Sequence, residues 1–284
     1  MITENSGCGT CGGTVAPDGH CWDCGAAQPA YRAHLEVAAA NGAAGVSDRG
    51  RRPEVNADAM VLVAVGAWTV GVVCDGVSMA PRAERAAVVA AEVGAAAIAA
   101  GLRAGALPET VLADAAVRAG RAVTALAAGA AGTEAAAPAG VGGAPACTFA
   151  AGVAGPEGVW SCWVGDSRAY WLPDEGPGMA LTADDTGELE ALTAWLGADA
   201  GDPVPGVRSY RPAVPGRLLL CTDGLWRHLP GPAALRTVLP GPVPRDLLPD
   251  ARTLVDHALA AGGEDNITAV LVPVPACVRP AAPA

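Results

Sequence analysis

The sequence contains no lysine, and all 18 of its basic side chains are arginine. A P-loop nucleotide site is therefore excluded, because that motif ends in a lysine that reaches the phosphates. No Gly-x-Ser-x-Gly motif is present, which argues against a serine hydrolase with a nucleophile elbow. The chain has only four histidines, and each is isolated in the sequence. Catalysis by paired histidines is therefore not indicated.

Positive charge is also scarce relative to negative charge. The 29 acidic residues leave a formal net charge of −11. The average surface would repel nucleic acid and anionic membranes, so neither is expected as a partner. An acidic protein is, by contrast, well suited to concentrating divalent cations.

No signal peptide is visible, because no basic start is followed by an apolar run. The most hydrophobic stretch, Ala86–Leu102, is mostly alanine and contains Glu92, which predicts a core helix and not a membrane span. We therefore expect a cytoplasmic protein. Half of its 284 residues are hydrophobic, enough for one large domain and a small one.

The nine cysteines fall into two groups. Four of them form two Cys-x-x-Cys pairs, namely Cys8, Cys11, Cys21 and Cys24, whereas the other five are isolated. Four thiolates at this spacing predict a closed, structural zinc site whose metal supplies the folding energy of a short ribbon. A redox Cys-x-x-Cys motif is the alternative, but it would explain only one pair and lacks its βαβ context.

Aspartates recur at the ends of predicted strands. Asp75 and Asp223 each follow an apolar run and precede glycine, Asp166 follows Trp163-Val164-Gly165, and Asp58 and Asp265 precede further strands. Each alone could be an ordinary turn residue. Five such aspartates, spread over about 200 residues, favour a cluster assembled by the fold. Ligation by carboxylates alone selects Mg²⁺, Mn²⁺ or Ca²⁺.

Three of these segments carry a family resemblance when taken together. They read Gly-Asp-Ser-Arg-Ala-Tyr, Leu-Leu-Leu-Cys-Thr-Asp-Gly-Leu and Gly-Gly-Glu-Asp-Asn-Ile-Thr, in that order. In character and order, the chain from about Ser47 to Val274 resembles the metal-dependent serine/threonine protein phosphatases of the type-2C (PPM) family.

The resemblance implies roles for particular residues. It makes Asp75 the carboxylate that bridges two Mn²⁺ or Mg²⁺ ions, with the Gly76 carbonyl bound to one of them. Asp223 and Asp265 complete the other ion's site. Asp166 corresponds to a ligand of a loosely bound third ion, and Asp58 to the acid of the first motif. Asp75, Asp223 and Asp265 are the implied catalytic set.

The chain departs from the family pattern at three positions. Ala57 stands where the family usually has Glu or Gln, which removes a common side chain at the second ion. Pro53 occupies the position of the arginine that grips the phosphate. Arg52, just upstream, is our candidate for that role, although an ordinary solvated arginine is an equally good interpretation. Arg227 stands where many relatives have an acid.

The predicted fold class is α+β. The resemblance implies two stacked antiparallel sheets flanked by pairs of helices, an α-β-β-α sandwich, preceded by the zinc ribbon. We predict the ribbon over residues 1–27, a linker with helical character over 28–42, the phosphatase-like domain over 43–275 and a flexible tail over 276–284. Within the domain, we predict a continuous strand region over Val159–Leu172 and an irregular region over Leu181–Pro215.

The implied function is hydrolysis of phosphoserine and phosphothreonine in proteins by water activated at a two-metal aspartate site. The substrates would be products of a serine/threonine kinase, and the ribbon would dock a protein partner. Because Ala57 and Pro53 weaken two parts of the site, the alternative is a phosphatase-shaped protein that binds phosphoproteins with little turnover.

Overall fold

The computed structural model describes residues 8, 10–15, 20–26, 28, 32–77, 80–130 and 143–277. Most of the predicted tail, from residue 278 onward, lies outside the described residues. So do residues 1–7 and 16–19 of the predicted ribbon. The domain consists of thirteen strands, five α-helices and one 3-10 turn within the described part of the chain.

Six strands form one sheet, in which all pairings are antiparallel. In spatial order they are β1 (His34–Ala38), β2 (Ala44–Asp48), β13 (Ile267–Val274), β12 (Gly216–Cys221), β8 (Arg168–Pro173) and β9 (Met179–Ala180).

Five strands form a second antiparallel sheet, and two short strands form a third. The five are β11 (Gly206–Tyr210), β7 (Gly158–Val164), β6 (Phe149–Gly155), β4 (Trp68–Cys74) and β3 (Ala59–Val65), in spatial order. The short pair is β5 (Ala146–Cys147) with β10 (Leu196–Gly197).

Helices cover the outer faces of both large sheets. α1 (Ala83–Arg103) and α2 (Pro108–Ala130) share a core with the five-stranded sheet. The six-stranded sheet packs against α3 (Asp223–Trp226), α4 (Pro232–Val238) and α5 (Leu248–Ala261). The 3-10 turn, Glu188–Glu190, lies outside these layers. The predicted α-β-β-α sandwich is confirmed.

Strand β12 shows why the two sheets stack. Leu218 and Leu220 point into the core between the sheets, whereas Leu219 and Cys221 pack against the helices on the outer face. All four side chains are fully buried. The continuous apolar run therefore reflects a strand that is covered on both faces.

Helix α1 has the length and apolar composition of a membrane span, the one such helix in the described part of the chain. Its buried side chains, among them Ala90, Ala91 and Ile98, belong to the core that it shares with α2 and the five-stranded sheet. The position of α1 therefore matches the core helix predicted around Ala86–Leu102.

Two predictions about the chain's organisation are wrong. Residues 34–38 of the supposed linker form edge strand β1, because Leu35 and Val37 alternate with His34 and Glu36 in the two-residue period of a strand. The region predicted as irregular over Leu181–Pro215 contains β10 and β11, which pair with β5 and β7.

The strand region predicted over Val159–Leu172 is interrupted at Gly165. Gly165 has a φ of +101°, which L side chains rarely adopt, so the extended backbone ends there. As a result, β7 lies in the five-stranded sheet and β8 in the six-stranded sheet. The interruption places Asp166 at the crossing between the two sheets.

Candidate metal centre and active site

All five predicted aspartates lie at strand ends where the two large sheets meet. Asp75 follows β4, Asp58 precedes β3 and Asp166 lies between β7 and β8. Asp223 follows β12 by two residues and begins α3, and Asp265 precedes β13 by two residues. The charge of Asp223 acts on each of the other four carboxyl groups. The fold therefore places Asp223 near each of the other four carboxyl groups.

Like charges and burial raise the pKa of these carboxyl groups. Burial, followed by the charge of Asp223, raises the pKa of Asp75 well above its usual range and that of Asp166 to about 6. The pKa of Asp265 is raised by the same two causes. Burial also raises the pKa of Asp58 to about 8, although two hydroxyl groups donate to it and oppose the shift. Such a cluster strongly favours bound cations.

Asp58 lies at the bottom of the cluster and is fully buried. Its Oδ2 accepts hydrogen bonds from Thr222 Oγ1 at 2.8 Å and from Thr268 Oγ1 at 2.7 Å. The Thr268 hydroxyl also lies 2.8 Å from Ser47 Oγ. These contacts fix the orientation of the carboxylate and leave its other oxygen, Oδ1, without a hydrogen bond.

Two carboxylate oxygens in the cluster are buried without a hydrogen bond. They are Oδ1 of Asp58 and Oδ1 of Asp223. A buried anionic oxygen without a donor is costly, and a hard cation is the natural partner for it. The residues present therefore fit the divalent ions that the resemblance implies.

The backbone around Asp75 is fixed on both sides. Its N–H donates to Thr148 Oγ1 at 3.0 Å, and its carbonyl accepts from the Thr148 N–H at 2.8 Å. The next residue, Gly76, donates to the Ala57 carbonyl at 3.2 Å. A β-carbon at Gly76 would lie 2.8 Å from the Ala83 carbonyl. Only glycine therefore allows this close approach to the start of α1.

Asn266 is a residue whose role sequence reasoning missed. Its Oδ1 accepts from the Ala57 N–H at 2.7 Å, and its Nδ2 donates to the carbonyls of Arg49 and Val55. It thereby connects the loop after Asp265 to the segment before Asp58. The feature of the sequence that could have pointed to Asn266 is its position at the end of the Gly-Gly-Glu-Asp-Asn motif. Thr222 and Thr268 were missed too, although Thr222 directly follows β12 and Thr268 lies in β13.

Arg52, the candidate phosphate ligand, lies beside the Asp265 loop. Its Nη2 pairs with Glu264 Oε1 at 2.6 Å, and its side chain is 70% exposed. Arg227 instead reaches the cluster itself, where its Nη2 lies 2.9 Å from Asp223 Oδ2. The structure thus places an arginine on a predicted metal ligand, which was not anticipated.

Residues 184–185, which follow β9, contact residues on either side of Asp166 at the edge of the aspartate cluster. Asp185 Oδ2 accepts from the Gly165 N–H at 2.9 Å, and Arg168 Nη2 pairs with Asp184 Oδ2 at 2.6 Å. The Asp166 carbonyl accepts from Trp226 Nε1 at 2.8 Å. Residues 184–185 and α3 are therefore both fixed next to Asp166.

The sequence model of the Protein phosphatase 2C family matches residues 48–246. This range covers more than two thirds of the chain. The chain belongs to the Protein phosphatase 2C family.

Solved structures of phosphatases share the fold. A bacterial serine phosphatase is 18% identical with a TM-score of 0.64, and the match covers 84% of this chain and 99% of that one. Stp1 from Staphylococcus aureus is 18% identical with a TM-score of 0.63, over 87% of this chain and 98% of the other.

The PPM Ser-Thr phosphatase MsPP from Mycobacterium smegmatis, in complex with cacodylate, is 25% identical with a TM-score of 0.57, and the match covers 82% of this chain and 97% of MsPP. The catalytic domain of PstP, solved with two manganese ions, is 22% identical with a TM-score of 0.58, over 85% and 98% of the two chains. No curated protein matched this chain.

The four paired cysteines precede the range that the phosphatase family model matches. Their Sγ atoms all lie within 4.8 Å of one another, and no other group of three or more His, Cys, Asp or Glu residues in the described part of the chain is as compact. Cys8 and Cys24 are 3.7 Å apart at sulfur, and Cys11 and Cys21 are 3.5 Å apart.

Two similar loops hold these sulfurs. The N–H groups of Thr10 and Asp23 donate to Cys8 Sγ and Cys21 Sγ at 3.3 and 3.4 Å. Gly12 and Gly25, with φ of +75° and +70°, return their N–H groups to the carbonyls of the same two cysteines at 2.8 Å. This closed set of four sulfurs fits one tetrahedral zinc ion.

Proposed function

We propose that this protein hydrolyses phosphoserine and phosphothreonine in other proteins, with Mn²⁺ or Mg²⁺ held by the aspartate cluster. The observation that carries the proposal is the convergence of five aspartates at strand ends in a chain of the Protein phosphatase 2C family, with two buried oxygens left for a cation. The two manganese ions of PstP support the choice of metal.

The residues that would hold the ions are Asp75, Asp223, Asp265 and Asp58 through their carboxylates and Gly76 through its carbonyl, with Asp166 at the rim for a third ion. Two divalent ions at such a site acidify water and neutralise the charge of a phosphoryl group. An oxygen-only ligand set suits hard cations, which favours Mn²⁺ and Mg²⁺ over Zn²⁺ here.

The chain's own residues prepare the site before any substrate arrives. Thr222 and Thr268 fix Asp58, Thr148 fixes the backbone of Asp75, and Asn266 ties together the segments around Ala57 and Asp265. The Asp58 carboxylate and the backbone around Asp75 and Ala57 therefore have little freedom to reorient. Such preorganisation accelerates a reaction because no reorganisation is needed when charge develops.

The test is hydrolysis of p-nitrophenyl phosphate and of phosphoserine and phosphothreonine peptides, with added Mn²⁺. We expect metal-dependent turnover that falls at least ~100-fold in Asp223→Asn, because a ligand charge is lost. Asp202→Asn is the control, since Asp202 is 79% exposed and lies away from the cluster. Turnover that persists in Asp223→Asn would contradict the proposed site.

A second candidate function is phosphoprotein binding with little turnover. Ala57 and Pro53, which bring neither an acid nor an arginine to the site, favour it. Tight phosphopeptide binding without turnover at any Mn²⁺ concentration would support this candidate instead.

The cellular setting is also a proposal. We place the protein in the cytoplasm, where substrates phosphorylated by a serine/threonine kinase would be available, and we assign the ribbon to docking a protein partner. The closed cysteine set supports the last point, because it leaves no open metal position for chemistry.

A further inference from the structure

A phosphate monoester carries negative charge, and so do the five aspartates that it must approach. The bound ions offset part of this repulsion, and a positive side chain at the rim would offset more. Arg49 and Arg52 lie on the segment that leads to Asp58, Arg168 lies two residues after Asp166, and Arg227 lies on the turn after α3.

Arg49, Arg52 and Arg168 are engaged elsewhere. Arg49 Nη1 donates to the backbone carbonyls of Pro53 and Glu54, at 3.0 and 3.4 Å, which ties its own loop together. Arg52 is paired with Glu264 at 2.6 Å, and both side chains are largely exposed. Arg168 Nη2 pairs with Asp184 Oδ2 at 2.6 Å. Among the described residues, none of these three guanidinium groups pairs with an aspartate of the cluster.

Arg227 is directed at the cluster by local geometry. Asp223 begins α3 and Arg227 follows its last residue, so the two are four residues apart and lie on one face. Arg227 Nη2 lies 2.9 Å from Asp223 Oδ2. Its guanidinium also lies 5.6 Å from the centre of the Trp226 ring, and Trp226 is itself held by the Asp166 carbonyl.

The Arg227 guanidinium has a second neighbour besides Asp223. It lies over the ring of Trp226, whose Nε1 donates to the Asp166 carbonyl. The Arg227 side chain is 53% exposed, whereas that of Asp223 is only 11% exposed. The guanidinium is therefore accessible to a ligand from solvent while it contacts Asp223.

We propose that Arg227 binds the phosphoryl group of the substrate while Asp223 holds its guanidinium in place. This inference rests on the proposed function and assigns a substrate-binding residue to the same site. A guanidinium presents several N–H groups in a fixed fork, so one edge can pair with a carboxylate while another binds phosphate oxygens. Asp223 Oδ1, which accepts no hydrogen bond, stays available to an ion.

The experiment compares Arg227→Gln and Arg227→Lys with the wild-type full chain. The control is Arg208→Gln, because Arg208 also lies over a tryptophan, Trp163, but on β11 away from the cluster. Calorimetry measures binding of inorganic phosphate to the Mn²⁺-loaded proteins, and binding of Mn²⁺ to the metal-free proteins. Steady-state kinetics with p-nitrophenyl phosphate separates KM from kcat.

We expect Arg227→Gln to weaken phosphate binding by about 10-fold or more, since charge-assisted hydrogen bonds are lost. KM should rise by a similar factor. Mn²⁺ affinity should stay equal or increase, because a competing positive charge is removed. Arg227→Lys should recover part of the phosphate affinity, and Arg208→Gln should match the wild type.

Phosphate affinity within about twofold of the wild type in Arg227→Gln would overturn the inference. So would a parallel loss of Mn²⁺ affinity, which would show that Arg227 acts only by positioning Asp223. The proposed function fails separately, if the wild-type protein shows no turnover. In that case the phosphate-binding comparison still decides the role of Arg227.

Discussion

At the scale of single residues, two adjacent positions of the site, Ala57 and Asp58, differ in burial and in what they contribute. Asp58 is fully buried and receives two threonine hydroxyls, whereas Ala57 is partly exposed and contributes only its backbone. Its N–H donates to Asn266, and its carbonyl accepts from Gly76. The backbone at Ala57 is therefore fixed at the edge of the cluster, but its methyl group brings no ligand.

Replacing Ala57 with glutamate should strengthen metal binding. The added carboxylate brings one more negative oxygen ligand, and ligand charge is a main determinant of affinity for hard cations. We expect the Mn²⁺ concentration for half-maximal rate to fall by roughly 3- to 10-fold, with a matching gain in calorimetric affinity. Ala57→Gln is the neutral control. Equal or weaker Mn²⁺ binding in Ala57→Glu would show that the second ion is ligated without this position.

Asp58 should make the metal-free protein less stable as pH rises. Its pKa is 3.8 when unperturbed and about 8 in the folded protein, so the folded state binds the proton more tightly. The resulting stabilisation is fully present below about pH 4 and is lost as pH rises toward 8.

The measurement is the free energy of unfolding of chelated wild-type and Asp58→Asn proteins at pH 5 and pH 8. The wild type should lose ~2–4 kcal/mol more than the variant over this interval. Saturating Mn²⁺ should reduce the difference, because the ions bind the ionised carboxylates. Identical pH slopes for the two proteins would contradict the assignment.

At the scale of elements, the short helix α3 and the residue after it carry three side chains of the site within one helical turn. It begins with Asp223, contains Trp226, which binds the Asp166 carbonyl, and leads into Arg227. A β-carbon at Gly224 would lie 2.0 Å from the Asn266 carbonyl oxygen. Glycine therefore lets α3 approach the loop before β13, and this contact brings Asp223 toward Asp265.

The zinc ribbon is a separate element with its own source of stability. Cys8→Ser should abolish binding of about one zinc ion per chain, because three thiolates no longer close the site. Residues up to about Gly25 should then become sensitive to protease, since so short a segment cannot bury a core. Zinc content and limited proteolysis measure these effects.

Hydrolysis of p-nitrophenyl phosphate should change little in Cys8→Ser, because the aspartate cluster lies on other elements. Cys277→Ser is the control, as Cys277 is an isolated cysteine outside the ribbon. A large loss of turnover in Cys8→Ser alone would mean that the ribbon contributes to catalysis.

At the scale of the whole molecule, the two sheets must stack closely for the five aspartates to meet. Glycines allow this approach: a β-carbon on Gly71 would lie 2.7 Å from Leu220 Cδ1, and one on Gly152 would lie 2.9 Å from Leu218 Cδ2. Leucines of one sheet thus fill the space that glycines of the other leave open. The position of the site follows from this packing.

Leu220→Ala should therefore leave a cavity between the sheets. We expect the free energy of unfolding to fall by ~2–5 kcal/mol, the usual range for a buried leucine. Chemical denaturation measures it, with Val204→Ala as control because Val204 is 92% exposed. A change in Leu220→Ala as small as in the control, within about 0.5 kcal/mol, would show that this part of the core can collapse around the substitution.

Local patterns in the sequence predicted the elements that have a strong period or clear ends. The apolar run before Asp223 and the alanine-rich helix around Ala86–Leu102 both formed close to their expected places. Two missed elements had weaker signals: β1 is a short edge strand, and β11 is mostly exposed or half-buried. Partly exposed strands bury little apolar surface, so their pattern is faint.

The amino-acid sequence by itself determined which residues could serve as ligands: aspartates at strand ends and cysteines in two close pairs, since residue type and spacing are local properties. Only the tertiary structure decided how they meet. Gly165 sends β7 and β8 into different sheets, and Asn266 donates to and accepts from segments more than 200 residues earlier. Such contacts depend on the packing of distant segments, which no local pattern specifies.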